Sequence, residues 1–359
     1  MRIGFDARMI THPGIGRYIK NLLHALVSLD SQEEFILYGD PVRLSEFQGL
    51  RVREYFAPVY GWQELKGEVF RKDSLDVLHI PHFNAPFSGA NNLVLTIHDL
   101  IYLKFTGSRS FLKGLVVKPL INRALSSARR IIAVSENTRE DLKASFPKVD
   151  DKIKVIAEAP DPVFRPIRED VKREQVREKY NLPKEYMLFV GSLRLHKNIP
   201  GLIEAYANLK RKGLKWELVI VGRSYRNSGR ILQKIKDNKV LFLGEIPSQD
   251  MVYIYNLAGL VVIPSFYEGF GLPVLEAMAC GVPVASSTAS SLPEVAKDAA
   301  VFFNPQDVEE MAFVLSGAIN DQKLRQALSQ AGIERAGNFS WKNTALETLK
   351  VYREAAARS

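Results

Sequence analysis

Short β-branched or apolar runs, each followed by a helix-length stretch, recur along the chain, and this alternation leaves few folds open. In the first half the runs fall at 3–5, 35–38, 77–80, 93–97 and 131–134, with helical stretches such as 18–29 and 115–128 between them. Parallel strands need a crossover, and a helix supplies one, so the repeated unit reads as a parallel sheet. Residues 157–170, AEAPDPVFRPIRED, hold three prolines and no period, as an interdomain connection would. The pattern restarts at 187–190, 218–221, 240–242, 260–263 and 282–285. At roughly 150 residues per domain, 359 residues also make two. The expected fold is α/β: Rossmann-like domains over 1–160 and 161–340, facing one another, with 341–359 as a closing helix that returns to the first. The glycine-rich turns after Phe5, Val190, Val221 and Ile263 are expected to line one cleft, because ligands bind beyond the carboxyl ends of such strands.

Apolar residues make up 46% of the chain and charged residues 25%, which excludes a disordered or low-complexity chain. Cys280 is alone, so an intramolecular disulfide is excluded. MRIGFDARM has no apolar signal core, and no segment gives 18 uncharged apolar residues, so the expected location is the cytoplasm. The net charge of +9 favours anionic partners. Much of the asymmetry lies in Lys104, Arg109, Lys113, Lys118, Arg123, Arg129 and Arg130, a run without an acidic residue. Interleaved with apolar residues, it suits either contact with an anionic membrane at its inner face or a partly buried helix with solvated lysines. No zinc module, helix-turn-helix or aromatic RNA motif supports a nucleic-acid partner.

The sharpest feature is SFYEGFGLPVLEAMACGVP at 265–283, in which seven residues separate Glu268 from Glu276. Pro273 marks a helix start, so Glu276 falls in the first turns and Glu268 in the preceding loop. An ionised Glu276 can accept hydrogen bonds from vicinal hydroxyls, as on a ribose. Glu268 is placed to bind sugar hydroxyls or to face a reacting carbon. The N–H groups of Phe270, Gly271 and Leu272 suit a phosphate at the helix N-terminus. An isolated glutamate pair more often rides on a solvated loop and helix; the turn between these two reverses that reading. His98 and Asp99 end the strand run LVLTIHDL, where both can reach a cleft, His98 otherwise serving as a core histidine. His82, in IPHFNAPF, is equally placed for a loop or an acceptor-site role. Six scattered histidines, one cysteine and no Asp-X-Asp hook give no metal spacing, and no cofactor is expected. Gly14 and Gly16 would begin a dinucleotide fingerprint, but Ile19 stands where its third glycine belongs, which weakens a dehydrogenase reading.

GIGRY, HDL, AVSENTRED, VGSLRLHKN, PSFYEGFGLPVLEAMACGVPV, SSLPEV and the closing FSW helix together resemble a retaining GT-B glycosyltransferase. The family is the large "group 1", or family four, that includes bacterial mannosyltransferases and sucrose synthases, and the resemblance runs the length of the chain. It implies a hexose transferred from a nucleotide diphosphate sugar to the hydroxyl of a sugar or lipid-linked glycan acceptor, with retention, in surface polysaccharide or glycolipid synthesis. Mannose from GDP-mannose comes first, with UDP-glucose or a UDP-N-acetylhexosamine as alternatives. Glu276 would bind the ribose, Glu268 and His98 the donor sugar, and the 270–272 amides with Gly14 and Gly16 the diphosphate. Lys197 would stabilise the leaving phosphate, and Asp99 the acceptor side. His196 stands where many relatives carry arginine, which leaves Arg194 or Arg223 to supply a second positive charge. Lys297 stands where relatives often carry glycine.

Overall fold

The structure is a computed structural model that describes all residues except 30–31, 60, 62–65, 88–91, 106–110 and 358–359, and, within 111–116, the backbone only. Arg109 and the Lys113 side chain of the basic run therefore lie outside the described residues. The chain forms two compact units, Met1–Glu158 with Ser340–Ser359, and Ala159–Phe339.

In the first unit the strands are β1 (Arg2–Asp6), β2 (Glu34–Gly39), β3 (Arg51–Glu54), β4 (Val77–Ile80), β5 (Leu93–Ile97), β6 (Arg130–Ala133) and β7 (Ile153–Val155). They pair in parallel in the order β3-β2-β1-β4-β5-β6-β7. The second unit holds β8 (Tyr186–Val190), β9 (Glu217–Val221), β10 (Leu241–Gly244), β11 (Leu260–Ile263), β12 (Val284–Ser287) and β13 (Val301–Phe303). Their order is β10-β9-β8-β11-β12-β13, again parallel. Each unit is thus Rossmann-like, with its first strand beside its fourth. The central strands β4, β5 and β11 are buried along their length, as strands covered on both faces must be, and this is why they read as runs that are apolar but for His79 and Thr96. The three strands absent from the sequence reading, β3, β7 and β13, are all sheet edges. Their segments RVRE, IKV and VFF are too polar or too short to make a run.

The helix Trp341–Ala356 belongs to the first unit. Its buried positions, Trp341, Thr344, Ala345, Thr348, Leu349, Tyr352 and Ala355, recur at helical spacing, and Ser340 caps it by accepting the Asn343 N–H at 3.2 Å. It packs on the helix Ile15–Ser28, where the Tyr18 and Trp341 rings meet edge to face at 5.9 Å. Tyr352 continues into a buried polar chain: its hydroxyl lies 2.6 Å from His79 Nδ1, His79 Nε2 lies 2.7 Å from Thr96 Oγ1, and Thr96 Oγ1 lies 3.0 Å from the Tyr18 hydroxyl. The chain crosses from the terminal helix through β4 and β5 to the first helix, so both ring nitrogens of the buried His79 have a partner.

The connecting segment keeps no secondary structure, yet it is tied down. The Ala157 carbonyl accepts Thr344 Oγ1 at 2.8 Å. In the second unit Asn256 brackets the segment, accepting the Ile167 N–H at 2.7 Å and donating to the Arg165 carbonyl at 3.0 Å. No helix among the described residues is long and apolar enough to cross a membrane.

Two predictions arise from the backbone and the buried chain. Lys297 ends the short helix Leu292–Ala296 with φ 48° and ψ −134°, a conformation that costs a side-chain-bearing residue about 1–3 kcal/mol and a glycine much less. Lys297→Gly is therefore expected to stabilise the second unit by about 1 kcal/mol in urea unfolding, and a destabilised variant would contradict this. Burial, followed by the nearby His98, pushes the His79 pKa down to about 3, so His79 stays neutral in the fold. The unfolded chain takes up this proton at about pH 6.5, so the contribution is complete above that pH and is lost as pH falls toward about 3, by up to about 1.4 kcal/mol per pH unit. His79→Gln should flatten the acid side of a urea-midpoint series across that window; an unchanged slope would mean that His79 is not held neutral.

Candidate active site

In each sheet the loops after the first and fourth strands leave neighbouring strands in opposite directions, which opens a crevice beyond their carboxyl ends. In the second unit these are the loops after β8 and β11. The first carries Lys197, at the end of a tight turn over Leu195–Lys197, and the second carries Glu268. The loops are stapled together where the Phe266 N–H donates to the His196 carbonyl at 2.8 Å.

Lys197 Nζ donates to Glu268 Oε1 at 2.7 Å and Oε2 at 2.6 Å, and Ser265 Oγ donates to Oε1 at 2.7 Å. The backbone of Glu268 is fixed as well, its N–H donating to Ser290 Oγ at 2.8 Å and its carbonyl accepting Ser291 Oγ at 3.1 Å. The two side chains are only 17% and 12% exposed. With that little water, removing either partner would leave a poorly solvated charge. The sequence reading gave Lys197 and Glu268 separate tasks; the structure joins them in one ion pair.

Position 196 differs from an arginine in charge as well as shape. His196 is half-buried, and burial, then the adjacent Lys197 ammonium, pushes its pKa down to about 4, so it adds no positive charge near neutrality. Arg194 stacks its guanidinium on the Tyr225 ring at 4.6 Å. Arg223 pairs with Glu245 at 3.1 Å, both half-exposed, a contact of small energetic weight.

Between Glu268 and Glu276 the chain must turn sharply. Gly271 does so with φ 111° and ψ 43°, left-handed backbone that disfavours any side chain, and the helix Leu272–Ala279 begins at the next residue with Pro273 in its first turn. The Phe270 carbonyl accepts Ser291 Oγ at 2.8 Å, and its ring packs edge to face on Phe339 at 5.9 Å. The N–H groups of Phe270, Gly271 and Leu272 precede the helical hydrogen-bond ladder, as donors at a helix start do. Glu276 lies in the second turn, 1% exposed, and accepts the Tyr255 hydroxyl at 2.8 Å. Tyr255 was not singled out from the sequence, since it lies 21 positions before Glu276 and on a different helix.

In the first unit the corresponding crevice lies between β1 and β4. Asp6, at the end of β1, holds the Arg8 fork, with Nε at 2.9 Å from Oδ1 and Nη2 at 2.6 Å from Oδ2. Arg8 also donates to the Ala57 carbonyl at 2.9 Å and lies 4.2 Å over the Tyr55 ring. His82, just after β4, places Nε2 3.6 Å from Asp6 Oδ2 and accepts the Asn84 N–H on Nδ1 at 3.1 Å. Burial by itself would raise the Asp6 pKa, but Arg8 and His82 outweigh it and hold the carboxyl well below the usual range. His82 is 3% exposed. Asp6 and Arg8 were missed, although FDAR directly follows the first strand run.

Gly14 precedes the helix Ile15–Ser28 with φ 83°, and a Cβ there would meet open space. At Gly16 a Cβ would stand 2.3 Å from the Ile10 carbonyl oxygen, so the chain's own backbone demands this glycine. His98 follows β5, with Nδ1 2.9 Å from Glu158 Oε1, and Asp99 accepts the Ile101 N–H at 3.0 Å to start the next turn. The basic run is partly consumed inside the unit. Lys104 pairs with Asp141, Arg123 donates to the Ala85 and Pro86 carbonyls, and Arg130 pairs with Glu354 at 3.0 Å.

Comparison with known proteins agrees with this fold. Residues 13–162 match the family described as Glycosyltransferase Family 4, and residues 171–335 match Glycosyl transferases group 1. The O-antigen chain mannosyltransferase B of Escherichia coli is 32% identical, over 98% of this chain and 100% of that one. Among solved structures, sucrose-phosphate synthase from Thermosynechococcus elongatus superposes with TM-score 0.77 at 20% identity, over 98% of both chains. Anabaena HepE in complex with UDP and glucose does so with TM-score 0.77 at 19% identity, also over 98% of both. With two Rossmann-like units and full-length similarity of this kind, the chain belongs to the group 1 glycosyltransferases of the GT-B fold.

Proposed function

We propose that this glycosyltransferase transfers mannose from GDP-mannose to an acceptor hydroxyl on a growing surface polysaccharide, with retention at the anomeric carbon. The observation that carries the donor and the pathway is the 32% identity, end to end, with a relative named as an O-antigen chain mannosyltransferase. Retention rests on the family resemblance.

On this reading Glu276 accepts the ribose hydroxyls, and the Phe270, Gly271 and Leu272 amides hold the diphosphate, with Gly14 and Gly16 shaping the loop near it. In the transfer step the bond from the anomeric carbon to the diphosphate oxygen breaks while the acceptor oxygen forms the new bond. The acceptor proton passes to the departing phosphate. That phosphate gains negative charge, so a fixed Lys197 ammonium favours the transition state over the ground state. Glu268 orients Lys197 and the donor sugar, His98 bonds a sugar hydroxyl, Arg194 adds positive charge, and Asp99 with His82 shapes the acceptor side.

A thermal-shift panel of GDP, UDP, GDP-mannose, UDP-glucose and a UDP-N-acetylhexosamine tests the donor. A ligand at 100 times its dissociation constant adds about 2.7 kcal/mol. GDP-mannose should raise the melting temperature and Glu276→Gln should remove that rise; a response confined to uridine nucleotides would overturn the donor. Lys197→Ala should lower kcat/KM by roughly 10²- to 10³-fold, about 2.7–4 kcal/mol. Glu268→Ala should retain the GDP response but lose transfer. An inverted anomeric configuration in the product, read from its NMR coupling, would refute retention.

A further inference from the structure

We infer that Glu158 is a positioning residue for the transfer reaction: it holds the Nδ1 proton of His98 and thereby presents Nε2 as the imidazole's hydrogen-bond acceptor toward a hydroxyl of the bound sugar. The inference rests on the reading of His98 given above.

Glu158 is 5% exposed and follows β7, two strands away from β5, whose end carries His98. Its Oε1 lies 2.9 Å from His98 Nδ1. An ionised carboxylate can only accept, so the proton on this bond belongs to Nδ1. The bond keeps the proton on Nδ1, which leaves Nε2 as the nitrogen that can accept. His98 Nε2 is buried and makes no hydrogen bond among the described residues. Buried polar atoms are rarely left so unless a ligand or water completes them.

Three further contacts fix the ring and its partner. The Tyr18 ring meets the imidazole edge to face at 4.8 Å and 85°, which hinders a flip that would exchange the two nitrogens. Thr138 Oγ1 donates to the His98 carbonyl at 3.3 Å. On the other side, Thr344 of the terminal helix donates to the carbonyl of Ala157, the residue before Glu158, at 2.8 Å. The free imidazole in water favours the opposite tautomer, with the proton on Nε2, so the effect of Glu158 is distinct and observable.

Long-range ¹H–¹⁵N correlation spectra of the ring nitrogens, recorded on the alkaline side of the imidazole titration, test this directly. The His98 signals are those missing from His98→Asn. They should report a protonated Nδ1 and a bare Nε2 in the full chain, and a protonated Nε2 there would overturn the inference without any variant. Glu158→Leu should raise the Nε2–H population several-fold and lower kcat at least 10-fold, while the donor KM changes less than twofold. An unchanged tautomer in a folded Glu158→Leu, or equal losses in kcat and donor affinity, would also overturn it. If instead His98→Asn transferred sugar at the full rate, the reading of His98 would fail while the tautomer result stood, so the two failures are distinguishable.

Discussion

The ion pair of Lys197 with Glu268 and the approach of His82 to Asp6 depend on one topological constraint, met once in each unit: the first and fourth strands of a parallel sheet lie side by side. Right-handed crossovers carry the chain to one face after the first strand and to the other after the fourth. Between β8 and β11 this brings a lysine and a glutamate 71 residues apart into a bidentate ion pair. Between β1 and β4 it joins Asp6, Arg8 and His82 in a buried cluster. Asp6 and Arg8 are neighbours along the chain, but the Lys197–Glu268 pair and the approach of His82 to Asp6 follow from the order of the strands.

The buried charges are organised differently in the two places. Asp6 and Arg8 are almost wholly enclosed, and with the Ala57 carbonyl and His82 they form a buried network, which suits a structural brace. Lys197 and Glu268 keep partial exposure, and their mutual contact holds both side chains in defined positions. Histidines follow the same logic: His79 and His196 are held neutral by burial, whereas His98 has one nitrogen bound by a carboxylate and the other without a hydrogen bond among the described residues. The surplus of positive charge is correspondingly less available than its count suggests, since Lys104, Arg123 and Arg130 spend their donors within the first unit.

The sequence by itself determined the class of fold and the turn-and-helix motif that carries Glu268 and Glu276. Central strands covered on both faces are apolar along most of their length, so they are visible as runs, and a Gly-Phe-Gly turn before a proline-started helix places Glu268 and Glu276 by local geometry. Edge strands β3, β7 and β13 escaped because an edge strand needs neither length nor apolarity. Only the tertiary structure decided which side chains become partners. That Glu158 meets His98, that Tyr255 meets Glu276, and that Gly16 is demanded by Ile10 are contacts between elements or loop turns. Hydrophobic periodicity reports which face of an element is buried, but hydrogen bonding between distant polar groups depends on strand order and register, which no local window contains.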